Sequence, residues 1–262
     1  MKFLLALALA FALVQPAFSQ DDELDDFKFD DAPGAETEAP YFAVAGGYLA
    51  TLFFPSFEEL NKTVTGTFGL EELKTPVFVQ GGEGFIAFPY IKNSRIGFFG
   101  IAGGTDRQRD VRVANPVAET DTLTASRNFE YRVSFTGISL DYALMLGRKF
   151  AIVPNARVGF GTMSLQAYQG VEERNWTDFN ASANNVNYLN RLEANYWFVQ
   201  PGIHFEFAAT PFFMVRASGG YTLSFMPGEW EYNHVSRVTT VPSEIKATGA
   251  TAQIGIFLGL FQ

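Results

Sequence analysis

From residue 41 onward the chain alternates between apolar and polar or small side chains. Phe212–Met226 sets Phe213, Val215, Ala217, Gly219, Tyr221, Leu223 and Phe225 against Met214, Arg216, Ser218, Gly220, Thr222 and Ser224. A period of two over that length is a strand pattern, because a helix returns to one face every three or four residues. The closing segment sets Ala250, Ala252, Ile254, Ile256, Leu258 and Leu260 against Thr251, Gln253, Gly255, Phe257, Gly259 and Phe261. Trp197–Phe207, Ile152–Thr162 and Gly137–Leu146 alternate in the same way, and Phe42–Leu52 and Gly82–Tyr90 do so less strictly. Ile96–Gly104 is strand-like, with no face assigned to either set. The pattern predicts eight strands.

The connections fall into two classes that alternate. Short links lie at Lys92–Ser94, Gly147–Lys149 and Ala209–Pro211; long ones cover Pro55–Pro76, Arg107–Asn128, Gln169–Arg191 and Pro227–Lys246. Up-and-down strands with every long loop at one end predict an all-β fold, an eight-stranded antiparallel transmembrane β-barrel. Its even strand number puts both termini on the short-turn side. The polar faces are mostly Gly, Ser, Thr and Ala with isolated charges, which suits a crowded lumen better than a water-exposed surface. The apolar faces are therefore expected to meet lipid. Aromatics gather at the strand ends, with Phe53, Phe54, Tyr168, Trp197, Phe225 and Trp230 on the long-loop side and Tyr90, Phe150, Phe207, Phe212 and Phe261 on the other. They read as two interfacial girdles. Residues 39–57 carry no charge and could be taken for a spanning helix, but Gly46, Gly47 and the flanking Pro40 and Pro55 favour a strand.

Composition narrows the function. The chain has 262 residues, no Cys, two His and a net charge of −9. Thiolate metal sites, thiol nucleophiles and disulfide scaffolds are excluded, and the acidic balance argues against nucleic acid. The acid is concentrated in residues 21–40, with nine carboxylates against Lys28 alone. Before it, Lys2, the apolar run Phe3–Val14, Pro16, Ala17 and Ser19 form a signal peptide expected to be cleaved after Ser19. The expected organisation is a signal peptide at 1–19, a disordered acidic periplasmic tail at 20–40 and the barrel at 41–262.

This organisation resembles the small eight-stranded outer-membrane barrels, the outer-membrane-protein-A-type and OmpX/OmpW-like group. The resemblance covers residues 41–262 and rests on the signal peptide, the alternating segments, the loop pattern and the final strand Thr251–Gln262. That family ends on an aromatic residue, whereas here Phe261 is penultimate. The resemblance implies insertion into the bacterial outer membrane by the barrel assembly machinery, surrounded by outer-membrane lipid and lipopolysaccharide, with the tail and C-terminus periplasmic. It implies a structural, adhesive or small-pore role for a monomer that needs no cofactor or metal.

Chemistry candidates are few. Glu83, Asp141, Arg157, His204, Glu206 and Arg216 fall on lumen faces, as a gate or as mutually satisfied pairs. A symmetric 209–211 turn would set His204 opposite Arg216, with Glu206 diagonal, and Asp141 would stand near Arg157 across the 147–149 turn. Trp176, Tyr188, Trp230 and Tyr232 fall in long loops, where such side chains favour contact with a surface ligand. His234 and Ser236, with Glu244 further on, have a spacing similar to that of outer-membrane lipid A deacylases, though the residues flanking that motif are absent. The reading is a non-enzymatic outer-membrane barrel with a side-chain-filled lumen. The alternatives are a lipid A-modifying enzyme and a soluble periplasmic lipid-binding barrel.

Overall fold

A computed structural model describes residues 43–115, 121–147, 149–171, 187–226 and 229–261. The signal-peptide and acidic-tail assignments lie outside the described residues. The described residues form eleven strands and one helix: β1 (Ala43–Pro55), α1 (Glu58–Gly66), β2 (Val77–Ala87), β3 (Ser94–Ala114), β4 (Thr122–Tyr142), β5 (Leu144–Met145), β6 (Phe150–Val171), β7 (Tyr188–Thr210), β8 (Phe213–Phe225), β9 (Trp230–Tyr232), β10 (Ser236–Val238) and β11 (Gly249–Phe261). Eight of them pair antiparallel in the order β1-β2-β3-β4-β6-β7-β8-β11, and β11 returns to β1 from Ala43↔Phe261 to Pro55↔Gly249. The sheet is a closed barrel, so its eight staves satisfy one another's backbone groups around the ring.

The staves have two heights. β1, β2, β8 and β11 have 11 to 13 residues, whereas β3, β4, β6 and β7 have 21 to 23. Within the segments 107–128 and 169–191, expected to be long loops, residues 107–114, 122–128, 169–171 and 188–191 are strand. Along the tall staves the alternation keeps its period and reverses its phase. The outward side of β7 reads Val199, Pro201, Ile203, Phe205 and Phe207 near the short turns, but Arg191, Glu193 and Asn195 above Trp197. Its inward side reads Gln200, His204 and Glu206 below, but Ala194, Tyr196 and Phe198 above. On β4, Ile138, Leu140 and Tyr142 point outward below and Glu130, Arg132 and Ser134 above. Its inward residues change from Ser139 and Asp141 to Phe129, Tyr131, Val133 and Phe135. The pattern above was missed because charges outside and apolar residues inside repeat the lower alternation in reverse.

The reversal marks where the surrounding solvent changes. Below it the barrel shows an apolar belt suited to lipid, including exposed Phe98, Ile138, Leu140, Phe160, Trp197, Phe205, Ile254 and Leu258. Above it the wall has a wet outside and a dry inside, like a soluble barrel. Gly137 and Gly159 sit opposite one another at this level, each so close to the other's strand that an added Cβ would lie 2.1–2.2 Å from a carbonyl oxygen. Only glycine fits there. Phe160 and Trp197 border the belt above, with ring centroids 4.6 Å apart, and Phe150 and Phe207 border it below at 4.8 Å. Three residues expected in the upper girdle belong elsewhere: Phe53 and Trp230 are buried inside, and Tyr168, between Asn128 and Leu189, stands far up the wall. Phe261, expected in the lower girdle, is half-buried against the core.

Candidate functional site

Every stave contributes at least one side chain to a polar layer across the lower lumen. Thr51 comes from β1, Glu83 from β2, Arg95 from β3, Asp141 from β4, Arg157 from β6, His204 and Glu206 from β7, Arg216 from β8 and Gln253 from β11, and all are buried. All but His204 form a continuous ladder. Asp141 Oδ2 accepts from Arg95 Nη2 at 3.1 Å, and Arg95 forks onto both oxygens of Glu206 at 2.7 and 2.8 Å. Arg216 donates from Nε to Glu206 Oε1 at 2.8 Å and from Nη1 to Glu83 Oε1 at 2.7 Å. Arg157 Nη2 donates to Glu83 Oε2 at 2.5 Å and to Gln253 Oε1 at 3.1 Å, and Gln253 Nε2 donates to Thr51 Oγ1 at 2.6 Å. Three guanidinium groups thus face three carboxylates.

Aromatic rings fill the spaces between the charges. The Arg95 and Arg216 guanidinium carbons lie 4.4 and 4.9 Å from the Phe85 ring centre, Arg216 lies 4.3 Å from Phe257, and Arg157 lies 4.7 Å from Phe99. These contacts pack the guanidinium faces while the edges hydrogen-bond, which the planar Arg fork permits and Lys would not. The space between Arg157, Gln200, His204 and Gln253 is about 10 Å³, at the lower limit for one water. Below the layer, a cavity of about 340 Å³ opens at the short-turn end between Lys149, Phe150, Met214 and Phe261, with Glu206 at its wall.

The pairings differ from those expected. Glu206 lies directly opposite Arg216 and His204 opposite Ser218, because the turn falls at Pro211 and Phe212 and not symmetrically about residue 210, and the register then shifts by one between Thr210 and Ala208. His204 Nδ1 meets Ser218 Oγ at 2.8 Å, and its Nε2 lies 3.9 Å from Asp141 Oδ1. Arg157 pairs with Glu83 across the lumen, and Asp141 pairs with Arg95. Arg95 was missed because it directly follows the short link. Its signal was its phase, since Arg95, Gly97 and Phe99 share one side and Ile96 and Phe98 the other.

Above the layer the lumen is closed a second time, by its own loops. α1 buries Leu60 and Val64, and Phe57 meets Tyr131 edge-on at 5.0 Å. Glu59 beside Lys62 on the open side of α1 holds that ammonium above its usual range. Asn61 pins the returning chain, accepting from Leu73 N at 2.8 Å and donating to Leu73 O at 3.1 Å, while Leu70 and Leu73 are buried. Three arginines of the tall wall hold this loop by its carbonyls: Arg127 to Phe68 O at 2.8 Å, Arg107 to Glu72 O at 2.9 Å and Arg109 to Gly69 O at 3.3 Å. The β9–β10 hairpin joins β7 through Leu192↔Tyr232 and Glu193↔Glu231.

Trp230, expected in a contact surface, is instead part of the core and only 5% exposed. Tyr188 is half-buried against that core, and Tyr232 donates to Asn190 Oδ1 at 2.6 Å. Trp176 lies outside the described residues. His234 occupies the hairpin turn with φ 58°, its nearest acid is Glu193 at 4.0 Å, and among the described residues no hydrogen bond joins it to Ser236. The turn does not place the two side chains on one strand face, as nucleophile activation would need.

No family model matches the chain, and no curated protein matches it in sequence. Among solved structures, the chain is similar to the attachment invasion locus protein Ail of Yersinia pestis in complex with the heparin analogue sucrose octasulfate, at 10% identity over 85% of this chain and 98% of that one, with a TM-score of 0.36. It is also similar to a major outer membrane protein of Thermus thermophilus, at 8% identity over 84% and 99%, with a TM-score of 0.45. A third is the outer membrane protein OprG of Pseudomonas aeruginosa, at 13% identity over 85% and 93%, with a TM-score of 0.26.

Proposed function

We propose that the protein is a non-enzymatic outer-membrane β-barrel that conducts nothing and anchors a raised wall outside the membrane. The observation that supports this most is the twofold closure of the lumen, by the charge layer below and by the α1 cap above. The same strands are sealed in the membrane and built like a soluble barrel beyond it, which fits a platform and not a passage. On this reading the tail and C-terminus are periplasmic, the barrel assembly machinery inserts the chain, and the apolar belt is solvated by outer-membrane lipid and lipopolysaccharide. The role is structural or adhesive. Planar-bilayer recording of the full chain is the test, and it should show no steady current steps. Steady steps in the unmodified protein would overturn the closed-barrel reading and favour a small pore.

A further inference from the structure

The raised wall has two vertical edges, and they are finished differently. On one side β7 is joined above the belt by β9. On the other, β3 pairs with β4 along its whole length, Ser94↔Tyr142 to Ala114↔Thr122, but with β2 only from Arg95 to Gly103. The chain leading into β2 has left the sheet there. Residues 68–72 meet the Arg107, Arg109 and Arg127 side chains through their carbonyls and offer β3 no ladder. Among the described residues, 104–114 therefore have no strand partner on that side. Apart from the Asp106 carbonyl, which accepts from Arg107 Nη1 at 2.7 Å, this leaves a row of N–H and C=O groups with no strand partner, a template for another strand that proteins normally cover or blunt with charge.

We propose that this edge pairs antiparallel with the same edge of a second copy standing in an opposing membrane. The inference rests on the membrane-anchored reading above. Residues 104 and 114 are equidistant from Arg109, so a two-fold axis at Arg109 matches the free segment to itself along its full length. On the outward side this register sets Asp106 opposite Arg112 and Gln108 opposite Asp110, each pair occurring twice. All four side chains are exposed. Cross-strand pairs of this kind attract, and like charges in the same places repel. On the inward side Thr105 meets Val113, Arg107 meets Val111 and Arg109 faces its own copy, the two exposed guanidinium groups being held apart by their bonds to their own Gly69 carbonyls. Moving the axis one residue either way degrades the match: at Gln108 it opposes Asp106 with Asp110, and at Asp110 it opposes that carboxylate with itself.

The symmetry also dictates the arrangement in space. An axis that makes two neighbouring strands antiparallel is perpendicular to the sheet and reverses strand direction. β3 climbs away from its own membrane from Ser94 to Ala114. Its partner must climb the opposite way, so its membrane lies on the far side.

Nanodiscs carrying one copy each test this, because they allow pairing between membranes and exclude pairing within one. Discs labelled with donor or acceptor dye should associate, more weakly at high salt. Asp106→Arg and Arg112→Asp should each weaken association by about tenfold. A mixture of the two variants should recover it, because each mismatched charge then finds its opposite across the axis. A heat-shift gel confirms that each variant is a folded barrel. No association of the unmodified discs, or no recovery in the mixture, would overturn the pairing and leave the closed-barrel reading untouched. Steady bilayer currents would do the reverse.

Discussion

Four of the eight strands of the lower barrel continue into the wall above it, yet the two regions solve opposite solvation problems. Below Trp197 the outward residues of β7 are Val199, Ile203 and Phe205, and the inward ones include His204 and Glu206. Above it the outward residues are Asn195, Glu193 and Arg191, and the inward ones are Tyr196 and Ala194. The hydrogen-bond ladder runs through both without a break. A strand's backbone is indifferent to which face is wet, so side-chain phase alone decides whether a stretch of barrel suits lipid or water. The two regions also hold their interiors differently. The lower one closes on charges that must all be paired, and the upper one on apolar contacts and edge-on rings such as Phe135 against Phe198, 5.4 Å apart.

Removing one member of the charge layer should have the largest effect. Arg216→Ala strips a partner from both Glu83 and Glu206, and a broken buried pair costs about 3–5 kcal/mol. Urea unfolding of the protein in detergent micelles should show a loss of that size; a loss below about 1 kcal/mol would mean that the layer is hydrated and loose. The second effect separates the regions on one face of one strand. Ile203→Arg, in the belt, should cost about 2–4 kcal/mol of folding into vesicles, whereas Asn195→Arg, above Trp197, should cost under about 1 kcal/mol. Equal costs would move the membrane boundary. The smallest effect concerns the cap. Val64→Ala removes two buried methyl groups and should cost about 1–3 kcal/mol. Limited proteolysis should then cut the 56–76 loop sooner, while the heat-shift of the barrel stays unchanged. A barrel that fails to insert would show that the cap belongs to the membrane fold and does not merely cover it.

Much of the lower barrel was legible along the chain. Eight alternating segments, their short links and the lumen positions of Glu83, Asp141, Arg157, His204, Glu206 and Arg216 needed only the period of a strand. The wall was not legible in the same way. In Phe129–Phe135 the charged and polar residues Glu130, Arg132 and Ser134 interrupt the apolar ones at the period of a strand, but in the phase a lipid-facing stave forbids. Such a stretch resembles a polar loop until the solvent is known to have changed. Trp230 was placed at a contact surface because it lies between strands, yet the hairpin that carries it folds back onto β7.

What the sequence determined by itself is local: the period of each strand, the alternation of short and long connections, and the residue types on either face. These follow from covalent geometry, since successive side chains on an extended backbone must point to opposite sides. Which charges meet was decided by tertiary structure alone. Glu83 and Arg157 stand on β2 and β6 and touch only because the sheet closes, and Glu206 stands opposite Arg216 because the turn falls at Pro211 and Phe212 and the register then shifts by one between Thr210 and Ala208. The cap over the lumen and the free edge of β3 are of the same kind. Both depend on where residues 56–76 go after leaving β1, which is a question of packing against a distant wall and is written in no single stretch of the chain.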